Sequence, residues 1–146
     1  MKVVVQRVNR ASVTVENEIT GKIKKGLLLL VGIHETDTKK EIDWCCNKIS
    51  KLRIFEDDEG KMNRSVQDIK GGILVVSQFT LYGDTKKGTR PSFIEAAKPD
   101  VAEPLYNYMV ERFKKSTDLN IQEGKFGAMM QVELLNDGPV TIIVEK

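Results

Sequence analysis

Alternating apolar and polar residues predict short β-strands at the start of the chain. Valines recur over residues 3–8, and apolar residues alternate with polar ones over 11–15 and 19–23. A period of two residues is typical of a strand with one buried face. The unbroken apolar run over residues 27–33 indicates a fourth, more central strand. Four strands joined by short turns predict an antiparallel meander.

Two helices are predicted by apolar residues that recur at helical spacing. Thr38, followed by a glutamate three residues later, forms a capping-box pattern that starts the first helix. This helix places Cys45 and Cys46 in or near the core. The second helix opens around residues 98–100. Because a proline is best tolerated in the first turn of a helix, we expect this helix to begin at Pro104.

A buried strand over residues 73–76 runs directly into polar residues. Ser77, Gln78 and Thr80 place hydrogen-bonding side chains where the apolar pattern should continue. A buried polar group without a partner costs about 1–3 kcal/mol, so these side chains need partners. They either bond to the loop that follows the strand or form the lip of a ligand site.

The C-terminal third of the chain indicates two more strands, over residues 130–134 and 141–144. No internal repeat, linker or low-complexity segment divides the sequence, so we expect a single domain over residues 1–146. The predicted class is α+β, with a mainly antiparallel, strongly curved or barrel-like sheet and two packed helices.

Composition narrows the function only a little. Hydrophobic residues make up 40% and charged residues 30% of the chain, which is typical of a globular protein. The net charge of +2 is too small to indicate a nucleic-acid-binding protein by itself. The first residues match a strand rather than a signal peptide, and no apolar run is long enough to span a membrane. With only two adjacent cysteines, we expect a reducing, cytoplasmic setting and no membrane contact.

The single histidine restricts the possible mechanisms. A Ser-His-Asp hydrolase would have to use His34, which follows an apolar strand and is interpreted as a strand-end or loop residue. Ligand spacings for zinc and glycine-rich fingerprints for phosphate are both missing from the sequence. We therefore expect neither a metal nor a cofactor.

Two segments resemble the signature motifs of the D-aminoacyl-tRNA deacylases. They are Ser77-Gln78-Phe79-Thr80-Leu81 and Asn136-Asp137-Gly138-Pro139-Val140-Thr141. Further matches are Val5-Gln6-Arg7-Val8, Ala11-Ser12-Val13-Thr14-Val15, Gly60-Lys61-Met62-Asn63 and Arg90-Pro91-Ser92-Phe93, so the resemblance covers essentially the whole chain. It implies hydrolysis of the ester of D-aminoacyl-tRNA by a homodimer in which each subunit contributes to its neighbour's site.

The resemblance also implies how the enantiomers are distinguished. In the family, the peptide at Gly138-Pro139 is cis, and its carbonyl oxygens project into the partner's site as a wall against L-aminoacyl groups. Rejection by side-chain direction cannot exclude glycine, so glycyl-tRNA mischarged on tRNA(Ala) is an expected second substrate. From the residues alone, Asp137-Gly138-Pro139 also fits an ordinary hairpin turn.

The expected catalytic residues are Ser77, Gln78 and Thr80. Thr80 is either a nucleophile or, because no base is evident, one of three residues that orient the substrate for attack by water. The substrate's ribose 2′-hydroxyl would assist, and backbone N–H groups near Phe79 and Thr80 would stabilise the oxyanion. Expected substrate-binding residues are Phe79, Gly138, Pro139, Phe126 and Met129. The last two either contact the terminal adenine or pack in the core.

The loop after this motif carries three positive charges, at Lys86, Lys87 and Arg90. It is either a solvated loop or a contact for phosphates near the tRNA acceptor end. Two rival functions remain open. The chain could bind nucleic acid through this loop without catalysis, or it could be a general esterase that uses Ser77 or Thr80.

Overall fold

A curved six-stranded sheet with two helices forms the core of the computed structural model, which describes residues 1–146. The elements are β1 (Lys2–Val15), β2 (Glu18–Ile23), β3 (Gly26–Gly32), α1 (Lys39–Ser50), β4 (Phe55–Glu56), β5 (Met62–Arg64), β6 (Gly72–Ser77), a 3-10 helix (Phe79–Tyr82), α2 (Pro99–Ser116), β7 (Asn120–Glu123) and β8 (Gln131–Glu145). The predicted α+β class is confirmed. Neither helix is long and apolar enough to cross a membrane.

The long strand β1 organises the sheet. β3 and β2 pair antiparallel with one edge of β1, each along a different part of its length. β8 pairs antiparallel with the other edge. The predicted meander of four strands is therefore wrong. The predicted strands over residues 3–8 and 11–15 are one continuous strand, in which Asn9 and Arg10 are exposed. An extended backbone can carry such residues on its solvent face.

The other half of the sheet contains parallel pairs. β6 lies between β3 and β7 and runs parallel to both, and the apolar side chains of residues 73–76 are fully buried. β7 has no counterpart among the predicted strands, because Ile121 is its only apolar residue. β2 bends over to β7, so closely that a Cβ on Gly21 would lie 2.6 Å from the carbonyl oxygen of Glu123. This contact gives the sheet its barrel-like curvature.

The two helices pack together over one face of the sheet. The predicted capping box at the start of α1 is present, since Thr38 N–H donates to Glu41 Oε2 at 2.8 Å. Cys45 and Cys46 lie in the core, as predicted, and burial raises the pKa of their thiols to about 11 and about 12. Both therefore remain protonated at neutral pH.

The start of α2 differs from the prediction. The helix begins at Pro99, five residues before Pro104, which lies inside it. Pro104 has no N–H to donate to the carbonyl group of Asp100. Both residues are exposed, so water can hydrate that carbonyl group and the helix tolerates the proline.

The two strands predicted at the C-terminus are one strand, β8. Gln6 of β1 pairs with Thr141, and Val8 pairs with Asn136, so only Arg7 faces the four residues 137–140. The chain bulges out at these residues and continues in the same direction. The alternative interpretation of Asp137-Gly138-Pro139 as a hairpin turn is therefore wrong.

Candidate active site

A pocket of about 410 Å³ opens at the carboxyl end of β6. Its walls come from the ends of β3 and β6, the start of α2 and the loop between β7 and β8. The lining includes five of the eight predicted site residues, namely Ser77, Gln78, Phe79, Phe126 and Met129. None of its 14 lining residues has an ionisable side chain. We refer to this space as the site pocket.

The polar segment after β6 turns outward at the mouth of the site pocket. Gln78 N–H donates to the carbonyl of Val31 at 2.7 Å, which extends the pairing with β3 by one residue. Leu81 N–H then donates back to the carbonyl of Gln78 at 3.2 Å, and the chain forms the 3-10 helix. This turn leaves the side chains of Phe79 and Thr80 exposed. The polar run therefore lies at the mouth of a pocket, and it also bonds within its own turn, since Gln78 Nε2 donates to Thr80 Oγ1.

Thr80 has a polar partner but no base. Its Oγ1 accepts a hydrogen bond from Nε2 of Gln78, which lines the pocket, although Thr80 itself does not. The backbone N–H groups of Phe79 and Thr80 donate to no acceptor in the chain. His34 lies outside the site pocket, where its ring contacts Tyr82 and Nδ1 lies 2.8 Å from Thr36 Oγ1. The interpretation of His34 as a strand-end or loop residue is confirmed, because it follows β3 and forms an isolated bridge with Ala96.

Phe126 and Met129 differ in their surroundings. The ring of Phe126 is half-buried, 5.7 Å from the ring of Tyr106, and also lines the site pocket. Phe126 therefore combines core packing with a place in the pocket wall. Met129 is 93% exposed at the pocket rim, so it is not a core residue. Pro99 and Ala102 of α2 also line the pocket, which the sequence did not indicate.

Gly138 and Pro139 do not line the site pocket of their own chain. They lie at the exposed tip of the β8 bulge, joined by a cis peptide bond. Asn136 Nδ2 closes the base of the bulge by donating to the carbonyls of Arg7 at 2.9 Å and Val140 at 3.1 Å. The φ of Gly138 is +117°, in a region that residues with a side chain disfavour.

Arg7 is a residue at the bulge to which the sequence assigned no role. Its guanidinium is buried, with Nε 2.9 Å from Asp137 Oδ2 and Nη1 donating to the carbonyl of Ile54 at 2.8 Å. The period-two pattern that buries Val3 and Val5 also directs Arg7 inward. The sequence signal that could have identified Arg7 was a charged residue at an inward-facing position, because a buried charge needs a partner.

The loop that carries Lys86, Lys87 and Arg90, here named the basic loop, lies directly beside the site pocket. An isolated bridge between Asp84 and Ser92 closes it, and the ring of Phe93 meets Phe79 edge-on with centroids 5.2 Å apart. The charged residues of the loop, Lys86, Lys87 and Arg90, are exposed and form no ion pair. They are free to contact an anionic ligand that extends from the pocket.

A family model described as D-Tyr-tRNA(Tyr) deacylase matches residues 4–145. The chain belongs to this family. Both signature segments and the residues that form the site pocket lie within the match. The resemblance to the D-aminoacyl-tRNA deacylases is therefore confirmed, and the family name describes a hydrolase.

Several curated relatives are similar over the full length of this family member. Proteins named D-aminoacyl-tRNA deacylase are 57% identical in an Exiguobacterium species, covering 100% of this chain and 99% of the relative, and 59% identical in Bacillus cereus, covering 99% of each. A solved structure described as c-Myc DNA Unwinding Element Binding Protein is 48% identical with a TM-score of 0.95, covering 100% of this chain and 99% of that one. A probable eukaryotic D-amino acid tRNA deacylase is 17% identical with a TM-score of 0.82, covering 98% and 97%, and shares the fold.

Proposed function

We propose that this protein hydrolyses the ester of D-aminoacyl-tRNA, releasing the free amino acid and tRNA. The observation that carries the proposal is a site pocket with the family's Ser77-Gln78-Phe79 at its mouth and no ionisable side chain in its walls. An aminoacyl ester is already reactive, so its hydrolysis needs orientation more than a strong enzyme base. The pocket suits the amino acid and terminal adenosine, and the basic loop suits phosphates of the acceptor end.

The proposed chemistry is attack by water, assisted by the substrate's own ribose 2′-hydroxyl. The two free N–H groups of Phe79 and Thr80 would donate to the carbonyl oxygen as negative charge develops on it. Gln78 and Thr80, bonded to each other, would hold the ester in place. A threonine nucleophile is disfavoured because the pocket offers no base to activate its hydroxyl.

Selection against L-aminoacyl esters is assigned to the carbonyl groups at Gly138-Pro139. Both enantiomers carry the same amino group, so a hydrogen bond to it cannot distinguish them. A discrimination of ~10⁴ needs about 5.5 kcal/mol, which a steric clash with a fixed wall can supply. Because the bulge lies outside its own chain's pocket, it would act in the pocket of a partner subunit. Glycyl-tRNA, which has no side chain to clash, would also be cleaved.

The proposed homodimer is supported by unpartnered surface around β8. This strand pairs only with β1, so its second edge is free, and Leu135 and Ile143 expose apolar side chains. Co-expression of a Gln78→Ala chain with a Gly138→Ala chain tests the shared site. A mixed dimer would hold one intact pocket facing one intact wall, so selective D-ester hydrolysis should return. Failure to regain it would argue against a wall donated by the partner.

Hydrolysis itself is tested by following D-tyrosyl-tRNA at sub-stoichiometric enzyme, with p-nitrophenyl acetate as a parallel substrate. The proposal predicts many turnovers on the tRNA ester and little activity on the simple ester. Rapid cleavage of p-nitrophenyl acetate would favour a general esterase.

A second candidate function is nucleic-acid binding without turnover. It is favoured by the similarity to the 48% identical structure, which carries the name of a DNA-binding protein. Under this candidate, the exposed basic loop would bind nucleic acid with a steep salt dependence, and the D-tyrosyl ester would survive.

A further inference from the structure

A second concentration of positive charge lies at the opposite end of β6 from the site pocket. Lys22, Lys24, Lys25 and Lys70 surround a recess of about 370 Å³, here named the lysine recess. All four side chains are exposed, and none forms an ion pair. Other lysines of the chain do pair with carboxylates, including Lys61 with Glu59 and Lys114 with Glu111.

The backbone holds these four lysines together. Gly72 N–H donates to the carbonyl of Lys25 at 3.0 Å, which ties the turn before β6 to the bend between β2 and β3. The two segments approach so closely that a Cβ on Gly26 would lie 2.0 Å from Gly72 O. Lys70, in the turn before β6, has a φ of +50°, where glycine or asparagine is more usual. The fold therefore brings the backbone positions of these four lysines together around one recess.

Four exposed lysines without ion pairs around one recess form a local concentration of positive charge, which favours a polyanionic ligand. The net charge of the chain is only +2, so this density is local. The ammonium group of lysine is a compact positive charge that can bind phosphate oxygens. Such contacts do not depend on which base is attached. Gly72 and Asn120 complete the lining, and Ile23 is its one hydrophobic residue, so the recess is polar rather than apolar.

We propose that the lysine recess binds phosphates of the tRNA acceptor region at a distance from the ester. β6 spans residues 72–77, which places the recess ~17 Å along the strand from the start of the site pocket. An RNA bound at both places would therefore extend back from the terminal adenosine toward the acceptor stem. The inference rests on the proposed function for its choice of RNA.

The test compares a recess variant with a charge-matched control. The recess variant carries Lys22→Gln, Lys24→Gln, Lys25→Gln and Lys70→Asn, where asparagine tolerates the positive φ. The control carries Lys40→Gln, Lys48→Gln, Lys51→Gln and Lys115→Gln, four exposed lysines without ion pairs on or beside the helices. Affinity for uncharged tRNA is measured against salt, and deacylation is measured on D-tyrosyl-tRNA and on the same ester of a CCA trinucleotide.

The recess variant should bind tRNA about tenfold more weakly, and its log Kd against log salt should be flatter by about 3. Its activity on the trinucleotide ester should equal that of the wild type, as should both properties of the control. An unchanged salt slope, or an equal loss in recess variant and control, would overturn the proposal. Equal loss on the trinucleotide ester would overturn it too, by assigning the recess to the site rather than to distant RNA. If wild-type enzyme binds tRNA but cleaves no ester, the proposed function fails while the binding comparison still tests the recess.

Discussion

Arg7 Nε lies 2.9 Å from Asp137 Oδ2, at the point where one residue of β1 faces four residues of β8. The arginine is buried, and it also binds the carbonyl of Ile54, so it connects the bulge to the body of the protein. The position of Gly138-Pro139 is therefore held by the buried Arg7 side chain together with the hydrogen bonds of Asn136 at the base of the bulge.

Replacing Arg7 with methionine should destabilise the protein and loosen the bulge. Loss of one partner of a buried ion pair costs about 3–5 kcal/mol, and the partial exposure of Asp137 reduces the expected cost to about 2–3 kcal/mol. Urea unfolding measures this change, and the ratio of D- to L-ester hydrolysis should fall in the same variant. Arg10→Met is the matched control, because Arg10 forms an exposed pair with Glu133 at 3.8 Å. It should change stability by less than about 0.5 kcal/mol. Similar effects of the two substitutions would contradict the special role of Arg7.

Gly138→Ala should impair selectivity more than stability. An added Cβ would lie 2.9 Å from Arg7 Nη2 and 2.8 Å from Val140 Cγ2, so the bulge would have to shift. Gly60→Ala is the control, because Gly60 also has a positive φ of 78° but open space around its Cβ position. Both variants bear the backbone cost of about 1 kcal/mol, and only Gly138→Ala should lower the D-to-L ratio, by about tenfold or more. An unchanged ratio in Gly138→Ala would remove the bulge from chiral selection.

Thr80→Ala should lower kcat about ten- to hundredfold without abolishing turnover. In the proposed mechanism Thr80 orients the ester through Gln78, and misplacement of a substrate costs rates of this order. Single-turnover deacylation of D-tyrosyl-tRNA measures the effect, with Thr85→Ala in the exposed neighbouring loop as control. Complete loss of hydrolysis, with folding and tRNA binding intact, would instead indicate a covalent intermediate on Thr80.

His34→Gln should leave both the rate and its pH dependence unchanged. His34 lies outside the site pocket, and the pocket walls contain no ionisable side chain. The profiles of kcat against pH for wild type and variant should therefore superimpose between about pH 6 and pH 8, where a histidine base would titrate. Loss of an inflection in the variant would show that His34 acts in catalysis.

The strongest local patterns predicted their elements correctly. The apolar run before Ser77, the capping box at Thr38 and the buried cysteine pair all correspond to structure, because each depends on neighbouring residues. Errors arose where distant segments decide the outcome. β7 is a strand because β6 offers it a partner, and β8 is continuous because β1 pairs with both of its halves.

The candidate site, like the fold, was predictable where neighbouring residues carried the signal and not where distant residues meet. Ser77 and Gln78 were found because polar residues interrupted an apolar run, and Phe79 was found through the family motif; all three line a pocket. Arg7 received no role, since its partner Asp137 lies 130 residues away along the chain. Gly138 and Pro139 lie apart from the pocket of their own chain, so the role proposed for them requires a second subunit.

The most direct test of the central claim is a parallel time course on three esters of tRNA: D-tyrosyl, glycyl and L-tyrosyl. With enzyme at sub-stoichiometric concentration, the account predicts rapid loss of the D-ester, slower loss of the glycyl ester and no loss of the L-ester beyond the enzyme-free control. Equal loss of the D- and L-esters would contradict a backbone wall at Gly138-Pro139. Survival of the glycyl ester alongside loss of the D-ester would show that selection depends on something other than the direction of the side chain.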